Sequence, residues 1–318
     1  MRRAVVTGAA GFIGSRLSHR LLDDGWEVVG IDAFLDTYDP SEKLARAAGL
    51  VRRKGFTLTT GHLTEVDLDE PLDGAEVVFH LAGRAGVRAS FALESRYRRD
   101  NVSSTARLVA AARMSPTVRR LVYASSSSVY GDAALPFSED APTAPVSPYG
   151  MSKLEAERIC LDGSDDRLEA VALRYFTVYG PGQRPDMGLR IFAEAAWTGQ
   201  PITVFGDGTQ SRDFTYVDDI VDATYRAASA PAAGKAINVG GGSRVSLLEV
   251  LELLAAITGR LLDIRHVDFA RGDVRHTGAD LTRAEELLSF RASTPFSEGY
   301  EAEVEWVRST LDSARRSA

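Results

Sequence analysis

The chain has 318 residues, 44% of them hydrophobic, enough to bury a large core in one big α/β domain or two smaller ones. Its formal net charge of -7 comes without a basic stripe, which argues against nucleic acid as the main partner and requires any anionic substrate to meet a local cluster of arginines. No run approaches the ~18 apolar residues of a membrane helix, and a single cysteine, Cys160, excludes an intrachain disulfide and a thiolate metal cluster; a soluble cytoplasmic protein without a metal site is expected.

In chain order, short apolar runs alternate with helix-length amphipathic segments. The runs are Ala4-Val5-Val6, Val28-Val29-Gly30-Ile31, Phe56-Thr57-Leu58, Val77-Val78-Phe79-His80-Leu81, Leu121-Val122-Tyr123-Ala124 and Ala170-Val171-Ala172-Leu173. Near-continuous apolar strands separated by helices predict a parallel sheet covered on both faces, with binding sites at the carboxyl ends of its strands. From about Val178 the rhythm loosens, as Pro181, Pro185, Pro201, Gly206, Gly208 and Gly240-Gly241-Gly242 intervene. We expect a first domain over residues 1–175 and a smaller lobe over 176–318, with segments 214–228 and 235–239 returning to the first sheet.

Thr7-Gly8-Ala9-Ala10-Gly11-Phe12-Ile13-Gly14 follows the first strand and opens a helix carrying Leu17, Leu21 and Leu22. Without Cβ atoms a backbone can approach a pyrophosphate, and a helix N-terminus supplies free N–H groups to bind it. Asp32 ends the second strand, where its carboxylate can accept hydrogen bonds from both ribose hydroxyls and would repel a 2′-phosphate. The pattern predicts a Rossmann-type doubly wound α/β domain holding NAD rather than NADP; Arg16, on the same helix, pulls the other way.

Further along, Ser147-Pro148 is a helix-start signal, and Tyr149-Gly150-Met151-Ser152-Lys153 puts a phenol and an ammonium one helical turn apart. Lys153 is expected to lower the pKa of Tyr149 and make it a general base. Bringing a phenol from about 10 to about 7 requires roughly 4 kcal/mol, more than a surface pair supplies, so a second positive charge is needed. Oxidised nicotinamide would provide it. A solvated Tyr/Lys pair on an ordinary helix is the bland alternative.

These residues, with His80-Leu81-Ala82-Gly83, Asn101, Ser125-Ser126-Ser127-Ser128-Val129-Tyr130-Gly131, Arg174-Tyr175-Phe176 and Ser211-Arg212-Asp213-Phe214-Thr215-Tyr216-Val217-Asp218-Asp219, resemble the extended short-chain dehydrogenase/reductases, the NAD-dependent epimerase/dehydratase family. The resemblance covers nearly the whole chain. It implies that Tyr149 exchanges a substrate hydroxyl proton, that Lys153 holds the nicotinamide ribose and that Ser126 assists. It implies NAD contacts from Gly8, Gly11, Phe12, Ile13, Gly14, Asp32, Leu63, Leu81, Ala82, Gly83, Asn101 and Tyr175. For the lobe it implies a sugar-nucleotide site, with Arg212 on the diphosphate, Val204 on the nucleoside strand 200–206, and Arg271 or Arg275 as a further phosphate-facing charge. Homodimers built from the helices after Asn101 and Tyr149 are also implied; Leu108, Val109, Leu154 and Ile159 suit that pairing or intramolecular packing equally.

The loop Asp32-Ala33-Phe34-Leu35-Asp36-Thr37-Tyr38-Asp39-Pro40-Ser41-Glu42-Lys43, Ala85-Gly86-Val87-Arg88, and Phe176-Thr177-Val178-Tyr179-Gly180-Pro181 before Gln183-Arg184 look like UDP-glucuronate 4-epimerases. A hexuronate carboxylate wants donors, which Thr177, Ser127, Ser128 and Arg184 could supply, and Arg88 is expected at the substrate; Arg184 reads equally as a rim charge. The expected reaction is NAD-dependent interconversion of UDP-glucuronate and UDP-galacturonate. A UDP-glucose/UDP-galactose 4-epimerase, a UDP-glucuronate decarboxylase and a catalytically silent NAD-binding sensor are the alternatives. Dehydration is disfavoured because no acidic residue follows Ser126. Departures from the family pattern are His62 where an aspartate is usual, Gly83 for alanine, Arg16 for histidine and Ser103-Ser104 for a glycine.

Overall fold

The computed structural model describes residues 2–269 and 272–317. Six strands alternate with helices along the first half: β1 (Arg3–Thr7), β2 (Glu27–Asp32), β3 (Phe56–Thr60), β4 (Val77–His80), β5 (Arg120–Ser126) and β6 (Glu169–Tyr175). After β7 (Thr177–Tyr179), β8 (Ile202–Phe205) and β9 (Ser211–Tyr216), strand β10 (Lys235–Val239) pairs with β6. The result is a seven-stranded parallel sheet in the order β10-β6-β5-β4-β1-β2-β3. The strand order reverses beside β1, which pairs with both β2 and β4, so a crevice opens at their carboxyl ends.

Alternation along the strands sorts side chains between two cores. Ala4 and Val6 pack with Leu17, Leu21 and Ile220 on one face, and Val5 packs with Val78, Leu108 and Cys160 on the other. Burial on both faces at about 25 cal/mol per Å² holds the sheet between its helices. A third core, with Ile202, Val204, Leu251, Leu254, Tyr300 and Val304, belongs to the lobe. There β9 pairs with β7 and with β11 (Arg244–Ser246), and β8 with β12 (Ile264–Val267). Leu108, Val109 and Leu154 are buried within the chain. Among the described residues no helix is long and apolar enough to cross a membrane.

Two local features aim chemistry at the crevice. Ser147 caps the Pro148–Asp162 helix by accepting from Gly150 N at 3.1 Å, with Pro148 in the first turn, where its missing N–H costs nothing. Behind β5, Ser125 Oγ donates to Glu157 at 2.5 Å, Arg174 pairs with Glu157 at 2.6 Å, and Tyr130 and Asn238 continue the chain of bonds. This buried network ties the carboxyl ends of β5 and β6 to the Pro148–Asp162 helix.

Candidate active site

The helix Phe12–Asp23 begins at Gly11 with no side-chain cap, so the N–H groups of its first turn lack intrahelical acceptors. Gly8 sits at φ +72°, and a Cβ on Gly14 would lie 2.1 Å from the Gly8 carbonyl oxygen. Only glycine permits this turn. Asp32 closes the loop: Oδ2 accepts from Ala10 N at 2.9 Å and Oδ1 from Phe34 N at 2.8 Å. Gly8, Gly11, Phe12, Ile13, Gly14, Asp32, Leu63, Leu81, Ala82, Gly83, Tyr149, Lys153 and Tyr175 all line one cleft. The donor-rich helix end at one place and the aspartate at another fit a dinucleotide's pyrophosphate and ribose.

Asn101 is not among the residues lining this cleft. Its Oδ1 accepts from Arg84 N at 2.7 Å, and its Nδ2 donates to Ser152 Oγ at 2.8 Å, which binds the cleft wall to the tyrosine-bearing helix. Gly83 passes against it; a Cβ there would meet Asn101 Oδ1 at 2.9 Å. Arg16 faces away, donating to Asp218 at 2.8 Å and to the Pro181 carbonyl at 2.6 Å, so it is engaged elsewhere than at a ribose. At His62, where the family usually has aspartate, Nε2 meets Asp100 Oδ1 at 3.0 Å, and Asp100 Oδ2 accepts from Arg84 at 2.7 Å. Arg84, Asp100, Tyr38 and Lys43 line the cleft and were missed in the sequence. Burial of a charged Asp100 requires partners, and they come from segments distant in the chain.

His80, at the end of β4, is buried and held neutral; burial, then Lys153, pushes its pKa down to about 3. Its Nδ1 lies 2.8 Å from Thr7 Oγ1 and its Nε2 2.8 Å from Thr105 Oγ1. Thr105 donates to the Asn101 carbonyl, so its oxygen accepts from Nε2–H, and Thr7 donates to Nδ1 while accepting from Ala82 N at 3.1 Å. This chain fixes the floor of the cleft.

Tyr149 stands at the inner end of the cleft with its ring edge-on to Tyr97, centroids 6.2 Å apart. Burial raises its pKa, while a hydrogen bond with Ser126 and the charge of Arg184 pull it down. Lys153, one helical turn on from Tyr149, lines the same cleft. Its ammonium donates to the Ala124 carbonyl and lies 4.4 Å above the Tyr123 ring. Burial lowers its own pKa to about 8, with Cys160 and Glu157 opposing. Arg184 is a cation that acts on Tyr149, and its guanidinium also binds Asp186 through two bonds, at 2.9 and 2.7 Å.

Beyond Tyr149 the cleft opens into a chamber lined by Ser126, Ser127, Ser128, Thr177, Arg184 and Arg212. Ser126 Oγ accepts from Ser128 N at 3.2 Å, which turns the serine run over the end of β5. The chamber continues into a groove of the lobe past Arg212, Thr203, Phe205 and Arg275. Arg88 lies over the Phe205 ring at 3.9 Å and donates to Asp273 at 2.8 Å. Val204 does not reach this groove. Alternation on β8 sends its side chain into the lobe core and turns Thr203 and Phe205 outward. Arg212 is half-buried, desolvation lowers its pKa, and it donates to the carbonyls of Ser211 and Arg275 at 2.9 and 3.1 Å. Arg271 lies outside the described residues. No group of three or more metal-ligating side chains occurs among those described.

Comparison with known proteins agrees with this geometry. YtcB of Bacillus subtilis, described as an uncharacterized UDP-glucose epimerase, is 38% identical over 96% of this chain and 98% of its own. The UDP-glucuronate 4-epimerase of Thermodesulfobacterium geofontis is 36% identical, with 97% of each chain covered. The UDP-glucuronic acid 4-epimerase of Bacillus cereus, solved with UDP-glucuronic acid and NAD, superimposes with a TM-score of 0.93 at 35% identity, over 97% of this chain and 99% of that one. The family model for the NAD dependent epimerase/dehydratase family matches residues 4–240. With that match spanning well over half of the sequence, and relatives aligned nearly end to end, the protein belongs to the NAD-dependent epimerase/dehydratase family.

Proposed function

We propose that the protein is an NAD-dependent 4-epimerase of UDP-hexuronates, interconverting UDP-glucuronate and UDP-galacturonate. The observation that carries this reading is the chamber beyond Tyr149. It gathers the hydroxyls of Ser127, Ser128 and Thr177 with the Arg184 guanidinium, and among its described lining residues only Asp273 is acidic, paired with Arg88. Such a chamber suits a carboxylate. It lacks the acid–base pair that loss of water from C5–C6 would need.

The Gly8–Gly14 turn, Asp32 and Lys153 would hold NAD, which supplies a reversible acceptor for the C4 hydrogen and, when oxidised, a positive charge. Tyr149, held by Ser126, takes the proton of the C4 hydroxyl as a carbonyl forms there, then returns it once the sugar has turned about its diphosphate. C4 is inverted with no net redox change. The intermediate is a β-keto acid, and hydroxyls that hold its carboxylate in the carbonyl plane keep the C–C bond from the alignment that releases CO2. Arg212 would meet the diphosphate from the lobe side, with Arg88 at the rim.

NMR of the product made from UDP-glucuronate without added cofactor tests the proposal. UDP-galacturonate supports it; a UDP-pentose makes the protein a decarboxylase. Absence of reaction, with turnover of UDP-glucose, supports the neutral-hexose reading, which the neutralisation of Arg184 by Asp186 and the relationship to YtcB favour. We also propose a cytoplasmic homodimer, supported by the exposed Met114 and Met151 on the helices Ser104–Met114 and Pro148–Asp162; light scattering would show its mass.

A further inference from the structure

Loop 180–184 follows β7, leads toward the helix Gly188–Thr198 and carries Arg184. It contains two glycines at positive φ, Gly180 at 130° and Gly182 at 92°, and is closed by a turn in which Gln183 N donates to the Gly180 carbonyl at 3.0 Å. Ionisable side chains tie this turn to the body of the protein, one from each of four helices. Glu303, on Phe296–Ser317, accepts from Gly180 N at 2.7 Å. Arg16, on Phe12–Asp23, donates to the Pro181 carbonyl at 2.6 Å. Arg46, on Pro40–Val51, donates to the Gly182 carbonyl at 2.9 Å, and Arg190, on Gly188–Thr198, to the Gln183 carbonyl at 2.7 Å.

Two of these anchors share one carboxylate. Glu42 Oε2 accepts from Arg46 at 2.9 Å and from Arg190 at 3.1 Å, while Oε1 accepts from Arg190 at 2.7 Å. Arg190 is almost fully buried, so its charge depends on such partners. Asp186, by contrast, belongs to the same stretch of chain as Arg184 and cannot fix that stretch to the body of the protein. The residue next to the four anchored groups lines both the cofactor cleft and the sugar chamber.

We propose that Glu42 is a positioning residue for catalysis, holding the 180–184 loop through Arg46 and Arg190 and so fixing where the Arg184 guanidinium stands relative to Tyr149. The inference rests on the reading above in taking Tyr149 as the base. The titratable and charged groups around its hydroxyl are Arg184 with Asp186, Lys153 on the same helix, Tyr97 and Tyr123. Of these, Arg184 is the one whose place depends on the loop. A looser loop weakens its pull, Tyr149 holds its proton to higher pH, and activity on the acid side falls.

The test is the pH profile of kcat for the holoenzyme and its Glu42→Gln variant, with NAD saturating. The acid limb should move up by about 0.5 to 1 pH unit, the size expected when a nearby charge is partly withdrawn. Preference for UDP-glucuronate over UDP-glucose should fall by roughly threefold to tenfold. Arg46→Met should reproduce the shift by releasing Gly182, and Arg46→Lys should restore part of it. In an Arg184→Met background, Glu42→Gln should move the limb no further. An unmoved limb, or an equal added shift without Arg184, overturns the proposal. If only UDP-glucose is turned over, the uronate reading fails and the same profile with that sugar still decides the role of Glu42. If neither sugar reacts, tyrosinate absorbance measured against the Tyr149→Phe counterpart decides it, with Glu42→Gln expected to raise the titration of that one phenol.

Discussion

The two ends of the groove are built by opposite means. The dinucleotide end is backbone: a glycine turn, an uncapped helix and the ends of β1, β2 and β4, contiguous in short stretches of sequence. The sugar end is side chain: Arg88, Thr177, Arg184, Arg212 and Asp273 arrive from segments far apart and hold one another by ion pairs and carbonyl bonds. Backbone sites tolerate almost no added atom, whereas side-chain sites can be retuned residue by residue. That division suits a family in which one cofactor serves many sugars.

Tyr149 stands at the seam and should show the largest effect. Tyr149→Phe removes the proton exchange and keeps the ring against Tyr97, so kcat should fall by about 10²- to 10⁴-fold while bound NAD and Tm stay near wild type. Loss of bound cofactor in that variant would mean that the phenol belongs to the dinucleotide end. Next comes Gly14→Ala, which sets a methyl 2.1 Å from the Gly8 carbonyl oxygen. Overpacking of this kind costs about 3 kcal/mol, and calorimetry should show a lower Tm together with NAD-free protein. Full NAD content in Gly14→Ala would break the distinction between the two ends.

At the sugar end, Arg212→Met should leave NAD content and Tm nearly unchanged. Removing a charge-assisted contact worth about 2 kcal/mol should raise KM for the UDP-sugar roughly 30-fold with kcat little altered. A fall in kcat with KM constant would show that Arg212 acts on the transition state and not on the tether.

The same division explains what could be read from the sequence. The sheet and the glycine turn were legible because hydrophobic runs, glycines and Asp32 are local signals whose meaning needs no distant partner. For Lys153 helical spacing gave the face and not the reach: its long stem carries the ammonium to the Ala124 carbonyl, a contact the sequence did not show. Val204 was misplaced by one step of strand alternation, and Asn101 acts through Gly83, Arg84 and Ser152. His62 stood out as a departure from the family's aspartate, but its partner Asp100, which directly precedes Asn101, could not be read from the sequence. Arg84 and Arg190 gave no signal at all, and Glu42 was noticed only as part of the 32–43 loop, with no role of its own. Their roles depend on carbonyls and carboxylates brought near only by the fold, and a charged residue on a helix looks the same whether it meets water or a loop.

Glu303 stands between the two ends, since its carboxylate binds Gly180 just after β7, at the start of the loop that carries Arg184. It is fully buried, and its Oε1 has no hydrogen-bond partner. Burial pushes its pKa up to about 8 against the opposing influence of the Gly180 N–H and Arg190. An unfolded glutamate has a pKa near 4.3, so between that value and about 8 the folded state binds more protons than the unfolded one. Stability therefore declines as pH rises across that window and levels off above it. Glu303→Gln keeps an oxygen for Gly180 and removes the titration, so its Tm should lose this decline and exceed wild type above pH 8 by an amount on the order of a few degrees. Parallel Tm profiles for the two proteins would mean that the carboxylate stays ionised in the fold, leaving the start of that loop held by a buried charge instead of a neutral acid.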